Sequence, residues 1–518
     1  MISDLFYAIL GVCFLFCMTM LLIRSLHIFQ LNSYKPAVQR KWVADNIFEW
    51  LIKTVWVVLA LPAAKELGSF GFVFAAAPFL LVGLLWLPKK AKKPLVYTGR
   101  VKRLIFTLAL ICLACVLIGA LEAGSRAKIC IVMVFIALAA PYAVLAANFI
   151  NRPVEKAINN RFINDAKRII RDMPGLIVIG VTGSYGKTSV KFILGKLLTA
   201  GYETLVTPES YNTTLGVVRT VRERLRATHE IFICEMGARN PGDIREICDI
   251  VKPRCGVITS IGPQHLESFG TIENVIKTKF ELADALPGDG VLFYNADNAY
   301  AAGRRVENAA TVGYGTENGD WRASEISASA RGTEFTVTGP DGVRMRLSTR
   351  LLGRHNVLNI TGAVAAAVYL GVPVSDISAQ VRRLDPVLHR LQLLGAPPRL
   401  IIDDAFNSNP EGAGAALETL SMFEGLHILV TPGMVELGKR QYELNRVFGE
   451  QAARVCDFVA LVGEKQTQPI LDGLRLAGFP EASVRVCDTL EEAIAAADAF
   501  RQGTPRVILL ENDLPDNY

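Results

Sequence analysis

The feature that most constrains the fold is an apolar run that ends in a glycine-rich turn and is followed by a helical pattern. Residues 176–181 are typical of a buried parallel strand. The turn Gly183-Ser-Tyr-Gly186 lets the backbone curl so that its N–H groups point at one spot. Lys187 and Thr188 then begin the helix, whose positive dipole end faces the same spot. This order predicts a phosphate-binding turn rather than a turn without a ligand.

The chemistry of the turn points to a nucleoside triphosphate. Lys187 can reach the terminal phosphates, and the Thr188 hydroxyl can hold Mg²⁺. The strict P-loop pattern is not met, because Val181 stands where it would have a glycine. The predicted phosphate-binding residues are Gly183, Ser184, Gly186, Lys187 and Thr188.

Composition separates the beginning of the chain from the rest. At 518 residues several domains are expected, and the high mean hydropathy, +0.32, comes from long apolar runs before residue 150. The ten cysteines form no metal-binding or disulfide spacing, which favours free thiols in a reducing compartment. The net charge of +6 does not indicate nucleic acid, because much of the excess lies in one loop between apolar segments. That loop contains Lys89, Lys90, Lys92, Lys93, Arg100, Lys102 and Arg103.

Residues 1–150 are predicted to form an α-helical membrane domain. Five apolar segments, most of them long enough to cross a bilayer, lie at residues 5–23, 47–63, 69–87, 104–121 and 129–149. The basic loops after the first and third segments predict an outside N-terminus and a cytoplasmic remainder. The protein is therefore expected in the cell (inner or plasma) membrane as a multi-pass protein, rather than as a soluble bundle. Few charges lie within the segments, which favours an anchor or a lipid-substrate platform over a pore.

Beyond residue 151, strands and helices alternate in the pattern of a parallel sheet with crossover helices. Ligands of such sheets gather where the strands end. Glu235 ends one predicted strand, His265 follows the next and Asn295 follows a third. A carboxylate and an imidazole near a phosphate loop can hold Mg²⁺ directly or through water.

Several segments in this order resemble the Mur ligase family over about residues 175–465. They are Thr182-Gly-Ser-Tyr-Gly-Lys-Thr188, Ser210-Tyr-Asn-Thr-Thr-Leu-Gly216, Cys234-Glu-Met-Gly-Ala238, His265-Leu-Glu-Ser-Phe-Gly270, Lys277-Thr-Lys-Phe-Glu281, Asn295-Ala-Asp-Asn298, Gly353-Arg-His-Asn356 with Asn359, and Asp403-Asp-Ala-Phe-Asn-Ser-Asn-Pro410. Within the family the similarity is greatest to members that add D-alanyl-D-alanine to UDP-N-acetylmuramoyl-tripeptide.

The resemblance implies a role for each matching residue. Lys187, His265 and Lys279 would be catalytic, with Lys279 carbamylated. Two Mg²⁺ ions would be held by Thr188, Glu235, His265 and Lys279. ATP would also be contacted by Asn295, His355, Asn359, Arg390 and Asp404. Substrate would meet Asn212, Thr213 and Asn407.

The resemblance also implies the domain plan and the reaction. Residues 151–383 would form a central, P-loop-type ATP-binding domain, and residues 384–518 a smaller Rossmann-like domain that brings the amine. The expected enzyme is an ATP-dependent carboxylate–amine ligase of peptidoglycan precursor synthesis. Its substrate carboxylate, on a muropeptide or another acceptor, attacks the γ-phosphate of ATP. An amino acid or dipeptide then displaces phosphate from the acyl phosphate.

Two departures leave the substrates open. About thirty residues separate the last apolar segment from the loop, too few for a soluble UDP-binding domain. The segment after Leu510 lacks a basic motif for the carboxylate of a dipeptide. A lipid-linked muropeptide is therefore an alternative acceptor substrate to a UDP-linked one. There are three alternative hypotheses: a poly-γ-glutamate capsule synthetase with the same chemistry, a P-loop ATPase-driven transporter and an inactive scaffold. The intact phosphate-binding loop argues against an inactive scaffold.

Overall fold

The computed structural model describes residues 2–61, 71–88, 94–122, 126–209, 211–264, 266–329, 332–385, 389–405, 408–435 and 437–513. His265, Phe406 and Asn407 lie outside these ranges, as do Lys89, Lys90, Lys92 and Lys93 of the basic loop. The chain divides into two compact units between Arg161 and Phe162.

The N-terminal unit is helical. Its helices are α1 (Ile2–Leu31), α2 (Pro36–Asp45), α3 (Ile47–Thr54), α4 (Gly71–Leu85), α5 (Gly99–Glu122), α6 (Arg126–Leu138) and the first part of α7 (Ala140–Arg171). Helix α1 packs along α4, where the rings of Phe14 and Phe79 meet edge to face at 5.5 Å. Arg103 of α5 forms an ion pair with Glu155 of α7 at 2.7 Å.

One helix in the described ranges, Ala8–Leu31 within α1, is long and apolar enough to cross a membrane. The bent pair Cys130–Leu138 and Ala140–Arg171, with 77° between its parts, would add a second if it were one span. The pair breaks beside Pro141, which lacks an N–H and fits best in the first turn of a helix. Phe74–Leu85 is apolar but shorter. The prediction of five spans is therefore not confirmed.

The second unit begins with a nine-stranded sheet. Its strands are β1 (Ile177–Thr182), β2 (Thr204–Val206), β3 (Ile231–Glu235), β4 (Cys255–Ile258), β5 (Val291–Asn295), β6 (Ala310–Gly315), β7 (Trp321–Ser329), β8 (Gly332–Thr338) and β9 (Arg344–Thr349). Their order is β2-β3-β1-β4-β5-β6-β7-β8-β9. Pairing is parallel from β2 to β7 and antiparallel from β7 to β9.

Helices cover this sheet because its central strands are apolar on both faces. They are α8 (Lys187–Leu198), α9 (Thr214–Arg224), α10 (Asp243–Val251), α11 (Leu266–Phe269), α12 (Ile272–Asp284), α13 (Ala299–Ala302), α14 (Arg354–Tyr369) and α15 (Val374–Arg382). Two apolar clusters result, one on each face. Since β1, β3, β4 and β5 run in parallel, their carboxyl ends share one edge of the sheet.

A six-stranded sheet follows, in the order β10-β11-β15-β12-β13-β14. Its strands are β10 (Gln392–Ala396), β11 (Arg399–Asp404), β12 (Leu426–Thr431), β13 (Phe458–Val462), β14 (Val484–Cys487) and β15 (Arg506–Glu511). Its helices are α16 (Pro410–Leu420), α17 (Gln441–Ala452), α18 (Glu464–Leu476) and α19 (Leu490–Ala499). All strand pairs are parallel except β10 with β11, and the edge where the parallel strands end carries Asp404 and Glu511.

These elements confirm the predicted α/β folds. The strand expected at 176–181 is β1, and the strands expected to end at Glu235 and before His265 and Asn295 are β3, β4 and β5. Strands β7, β8 and β9 continue the sheet as an antiparallel extension. The domain limits at 150 and 383 stay predictions.

Gly449→Ala is predicted to destabilise the second unit. A Cβ at Gly449 of α17 would lie 2.2 Å from the backbone oxygen of Ile470 in α18, so the helices would have to separate. Overpacking of this kind costs about 1–3 kcal/mol, which thermal unfolding in detergent should reveal as a lower Tm. Gly414→Ala on α16 is the control, because its Cβ meets only Gln451 Oε1 at 3.7 Å. A Tm for Gly449→Ala at or above that of Gly414→Ala would contradict the close packing.

Candidate active site

The turn between β1 and α8 is held in a conformation that only glycines permit at two positions. Gly183 has φ of 149°, and a Cβ there would lie 2.0 Å from Thr259 Oγ1. Gly186 has φ of 78°, and a Cβ there would lie 2.8 Å from Asn359 Oδ1. Ser184 N donates to Ser260 O at 2.7 Å, which fixes the turn to the end of β4. The turn is thus a rigid cradle of backbone N–H groups at the start of a helix.

Lys187 is folded into this cradle. Its Nζ donates to Gly183 O at 2.9 Å and to Ser184 O at 2.8 Å. Burial lowers the pKa of Lys187 to about 8, although the carboxylate of Glu235 opposes the shift. An anion in the cradle would therefore meet a lysine that is already directed inward.

Glu235, at the end of β3, connects the turn to its surroundings. Its side chain is 1% exposed. Its Oε1 accepts from Thr188 Oγ1 at 3.2 Å and from Asn212 Nδ2 at 2.9 Å, while Lys191 Nζ lies 2.8 Å from Oε2. Burial alone would raise the pKa of Glu235, but the charges of Lys191 and Lys187 outweigh it and lower that pKa.

The pair formed by Thr188 and Glu235 fits Mg²⁺. A hydroxyl and an ionised carboxylate that face each other at the end of a parallel strand are hard oxygen ligands. The second predicted site depends on His265, which lies outside the described residues. Within the described ranges, no three His, Cys, Asp or Glu side chains gather as a metal cluster.

Lys279 lies on α12 with its side chain buried. Burial lowers its pKa well below the usual range, and the positive charge of Lys187 acts in the same direction. Asp243 and Glu281 oppose these effects without reversing them. These effects favour the neutral, nucleophilic form of the Lys279 amine.

A cavity of about 730 Å³ opens beside the cradle and is lined from both sheets. Of the predicted ATP-contacting residues it brings together Gly186, Thr188, His355, Asn359, Arg390 and Asp404. Burial, aided by the charge of Arg390, lowers the pKa of His355 to about 4, so this ring is neutral near pH 7. Its Nδ1 is buried without a partner in the described part of the chain. The cavity is thus lined by an uncharged imidazole ring.

Three predicted residues are placed differently. Asn295 does not line the cavity; its Nδ2 donates to Ser260 Oγ at 3.0 Å, and Ser260 does line it. Thr213 begins α9, where its hydroxyl accepts from Gly216 N at 3.3 Å as an N-cap. Asn212 meets Glu235 rather than open space. Asn407 lies outside the described residues.

The sequence reasoning missed three residues of the site. Lys191 follows Lys187 by one helical turn, which would have placed it on the same face. Glu411 lies in the first turn of α16 and lines the cavity, and burial raises its pKa. Glu511 ends β15, as the strand-end rule would have indicated.

Glu511 and Asp404 form a buried acidic pair at the end of the second sheet. Ser408 Oγ donates to Glu511 Oε1 at 2.6 Å, and Leu391 N donates to Asp404 Oδ1 at 3.1 Å. Burial raises the pKa of both carboxyls. Asp404 raises the pKa of Glu511 further, through its charge and their hydrogen bond, whereas the same bond lowers the pKa of Asp404. The pair therefore keeps a proton more readily than an exposed carboxylate does.

Two family models match the chain, and both are consistent with this geometry. The model described as Mur ligase middle domain matches residues 181–367. The model described as Mur ligase, glutamate ligase domain, matches residues 389–510. The first range includes the phosphate cradle, and the second begins at the residue before Arg390.

The chain is also similar to named enzymes. It is 33% identical over 287 residues to UDP-N-acetylmuramoyl-tripeptide--D-alanyl-D-alanine ligase of Bacillus subtilis. The aligned region covers 55% of this chain and 62% of that enzyme. It is 30% identical over 339 residues to the enzyme of that name from Escherichia coli, which covers 62% of this chain and 73% of that enzyme. The chain thus spans between three-fifths and three-quarters of these relatives.

Solved structures resemble the second unit. MurF from Acinetobacter baumannii superposes with a TM-score of 0.64 at 28% identity, covering 68% of this chain and 77% of that one. MurF ligase from Thermotoga maritima in complex with ADP gives a TM-score of 0.62 at 26% identity, covering 68% and 80%.

Lys187→Ala is predicted to abolish ATP-dependent phosphate release while the protein stays folded in the membrane fraction. The variant removes the cation inside the cradle, and charge-assisted hydrogen bonds contribute about 1.5–3 kcal/mol each. Binding of a fluorescent ATP analogue and phosphate release measure the effect, with Lys167→Ala, an exposed lysine on α7, as the control for one lost charge. Turnover of Lys187→Ala at the parental rate would refute the assignment of the cradle.

Proposed function

Because this chain belongs to the Mur ligase family, we propose that it joins the terminal carboxylate of a muramoyl tripeptide to D-alanyl-D-alanine with ATP. It is an ATP-dependent ligase by that membership. The main observation that supports this proposal is a single cavity lined by the phosphate cradle of the first sheet and by Arg390 and Asp404 of the second.

The first step needs two anions to approach each other. The acceptor carboxylate attacks the γ-phosphorus of ATP, a new O–P bond forms, and ADP leaves with the electrons of the broken bond. Lys187 and the backbone N–H groups in the first turn of α8 stabilise the charge on the phosphates. Thr188 and Glu235 would hold Mg²⁺, which when bound supplies positive charge to the phosphate oxygens.

The second step needs an amine and a dry site. The amine attacks the acyl phosphate, the N–C bond forms, and the C–O bond to phosphate breaks as the amine loses its proton. Arg390 and Asp404 close one side of the cavity from the second sheet, which limits the access of water to the acyl phosphate. The acidic pair of Asp404 and Glu511 suits the ammonium form of an incoming amine.

We place the acceptor at the membrane. In this proposal residues 1–150 form five spans with the N-terminus outside, and the catalytic unit is cytoplasmic. Helix α1 contains a stretch that can cross a bilayer, and the basic residues after it suit the cytoplasmic side. A lipid-linked muropeptide presents its carboxylate at that surface. Holding both partners there raises their effective concentration to the order of millimolar for a short tether.

The full chain in lipid nanodiscs is predicted to release phosphate only when a muramoyl tripeptide and D-alanyl-D-alanine are both present, and to prefer the lipid-linked tripeptide over the UDP-linked one. A variant without residues 1–150 should lose this preference, because only the tether is removed; its α7 would then begin near Pro153, which a first helical turn accepts. Mass spectrometry of the products, with glutamate, glycine and lysine as alternative amines, measures both claims.

Each outcome decides one part of that proposal. Phosphate release with glutamate polymers and not with muropeptides would replace the peptidoglycan assignment by a polyglutamate synthetase. If the truncated and full chains use the UDP-linked tripeptide equally well and neither uses the lipid-linked one, the membrane platform is refuted and the ligase stands.

We also propose that Lys279 reacts through its neutral amine with CO₂ to give a carbamate that serves as a ligand for a second Mg²⁺. The N–C bond forms as one C=O π bond of CO₂ opens, one amine proton leaves to solvent, and the neutral amine becomes an anion. Protein equilibrated with ¹³C-bicarbonate should show one carbamate carbon signal that Lys279→Ala lacks, and Lys279→Ala should lose most activity that excess bicarbonate does not restore.

Lys277→Ala is the matched control, because Lys277 lies on the same helix with its side chain exposed. It should keep both the carbamate signal and the activity. Full activity in Lys279→Ala, or a signal that survives in it, would show that Lys279 is not the modified residue.

A further inference from the structure

The side chain of Lys191 on α8 has no exposed surface, which is unusual for a lysine. It lies one turn after Lys187 on α8 and points to the opposite side of Glu235 from Thr188, since Thr188 meets Oε1 and Lys191 meets Oε2. A buried ammonium costs several kcal/mol unless it is paired and hydrogen-bonded. Lys191 can therefore be buried beside Glu235 because two partners bind its ammonium group.

The second partner of Lys191 is a backbone carbonyl in the segment of residues 207–213, of which Ser210 lies outside the described residues. Lys191 Nζ donates to Glu209 O at 2.6 Å. Glu209 has φ of 40°, in the left-handed region that residues other than glycine rarely adopt. A donor that holds its carbonyl opposes relaxation of this conformation.

The rest of the segment is tied to the same carboxylate. Glu235 N donates to Thr207 Oγ1 at 3.1 Å, and Asn212 Nδ2 donates to Glu235 Oε1 at 2.9 Å. Gly237 N donates to Asn212 O at 2.7 Å, and a Cβ at Gly237 would lie 2.8 Å from the Asn212 side chain. Both ends of the segment are thus anchored at β3, and Lys191 is the anchor of its middle.

We propose that Lys191 is a positioning residue that sets the acceptor-side segment, residues 207–213, against Glu235 and the phosphate cradle. By occupying Oε2 of Glu235 it leaves Oε1 facing Thr188, and by holding Glu209 O it fixes the segment at a set distance from the cradle. The acceptor role of the segment rests on the proposed ligase function. The placement of the segment by Lys191 does not.

A purely structural role for Lys191 predicts something else. If the ammonium only neutralised Glu235, its loss would lower stability and weaken ATP and acceptor alike. If it positions the segment, its loss should release residues 207–213 and weaken the acceptor much more than ATP. The two roles therefore differ in a KM split and in access to the Glu209–Ser210 peptide bond.

The test uses Lys191→Met, which keeps the length of the side chain and removes its donors. We expect cleavage after Glu209 by a glutamate-specific protease, followed by mass spectrometry on the full chain in nanodiscs, to speed up about tenfold or more. The KM for the muramoyl tripeptide should rise by about tenfold, and the KM for ATP by less than about threefold. Lys277→Met is the control and should match the parent in all three.

A second variant covers the case in which Lys191→Met leaves Glu235 as an uncompensated buried charge and fails to fold. Lys191→Met combined with Glu235→Gln is neutral at both positions, and it still lacks the donor to Glu209 O. The same rise in cleavage is expected without any substrate. Parental protection in a folded variant, or equal rises in both KM values together with a lower Tm, would overturn the proposal. If the parent uses no muramoyl tripeptide but cleavage still rises, the ligase assignment fails while the anchoring role of Lys191 holds.

Discussion

The site depends on one buried carboxylate. Glu235 stands at the end of β3 with 1% of its side chain exposed, where an ionised group without partners would cost several kcal/mol. Its partners come from two other segments: Thr188 and Lys191 from α8, and Asn212 from the segment that follows β2. Buried Glu235 is therefore stabilised as a carboxylate only when the strand, the helix and the segment are all in place. The charge of the site thus depends on the correct fold.

The sequence predicts this part of the fold well because its signals are local. Buried strands such as β1 and β3 are short apolar runs with a clear end, and two glycines between β1 and α8 have positive φ values that other residues rarely adopt. The short strand β2 and the half-exposed β10 and β14 lack such runs. The roles of Lys191 and Glu511 appear only after segments distant in sequence have met, since Glu511 comes from β15, the last strand along the chain, which pairs with β11 and so brings Glu511 beside Asp404 and Ser408.

The N-terminal unit shows what hydropathy alone does not locate. Hydropathy does not show where a helix breaks inside an apolar segment, and here the segment at 129–149 is divided between α6 and α7 beside Pro141. The segment at 47–63 begins as α3 and tightens to a 3₁₀ helix at Val55–Leu59. Polar pairs such as Arg103 with Glu155 lie between helices of this unit. Composition registers the apolar residues, but not the breaks that decide how many of them can cross a bilayer.

The charges of the site also explain why two lysines can lie close together. Lys187 must be cationic to stabilise phosphates, and a second ammonium at Lys279 would repel it in a poorly solvated place. Burial and the charge of Lys187 favour the neutral form of Lys279, which weakens this repulsion, whereas Glu235 supports the charge of Lys187. A neutral amine is also the only form of lysine that reacts with CO₂. The arrangement that weakens a repulsion in the folded protein is therefore also the one that the proposed carbamate of Lys279 requires.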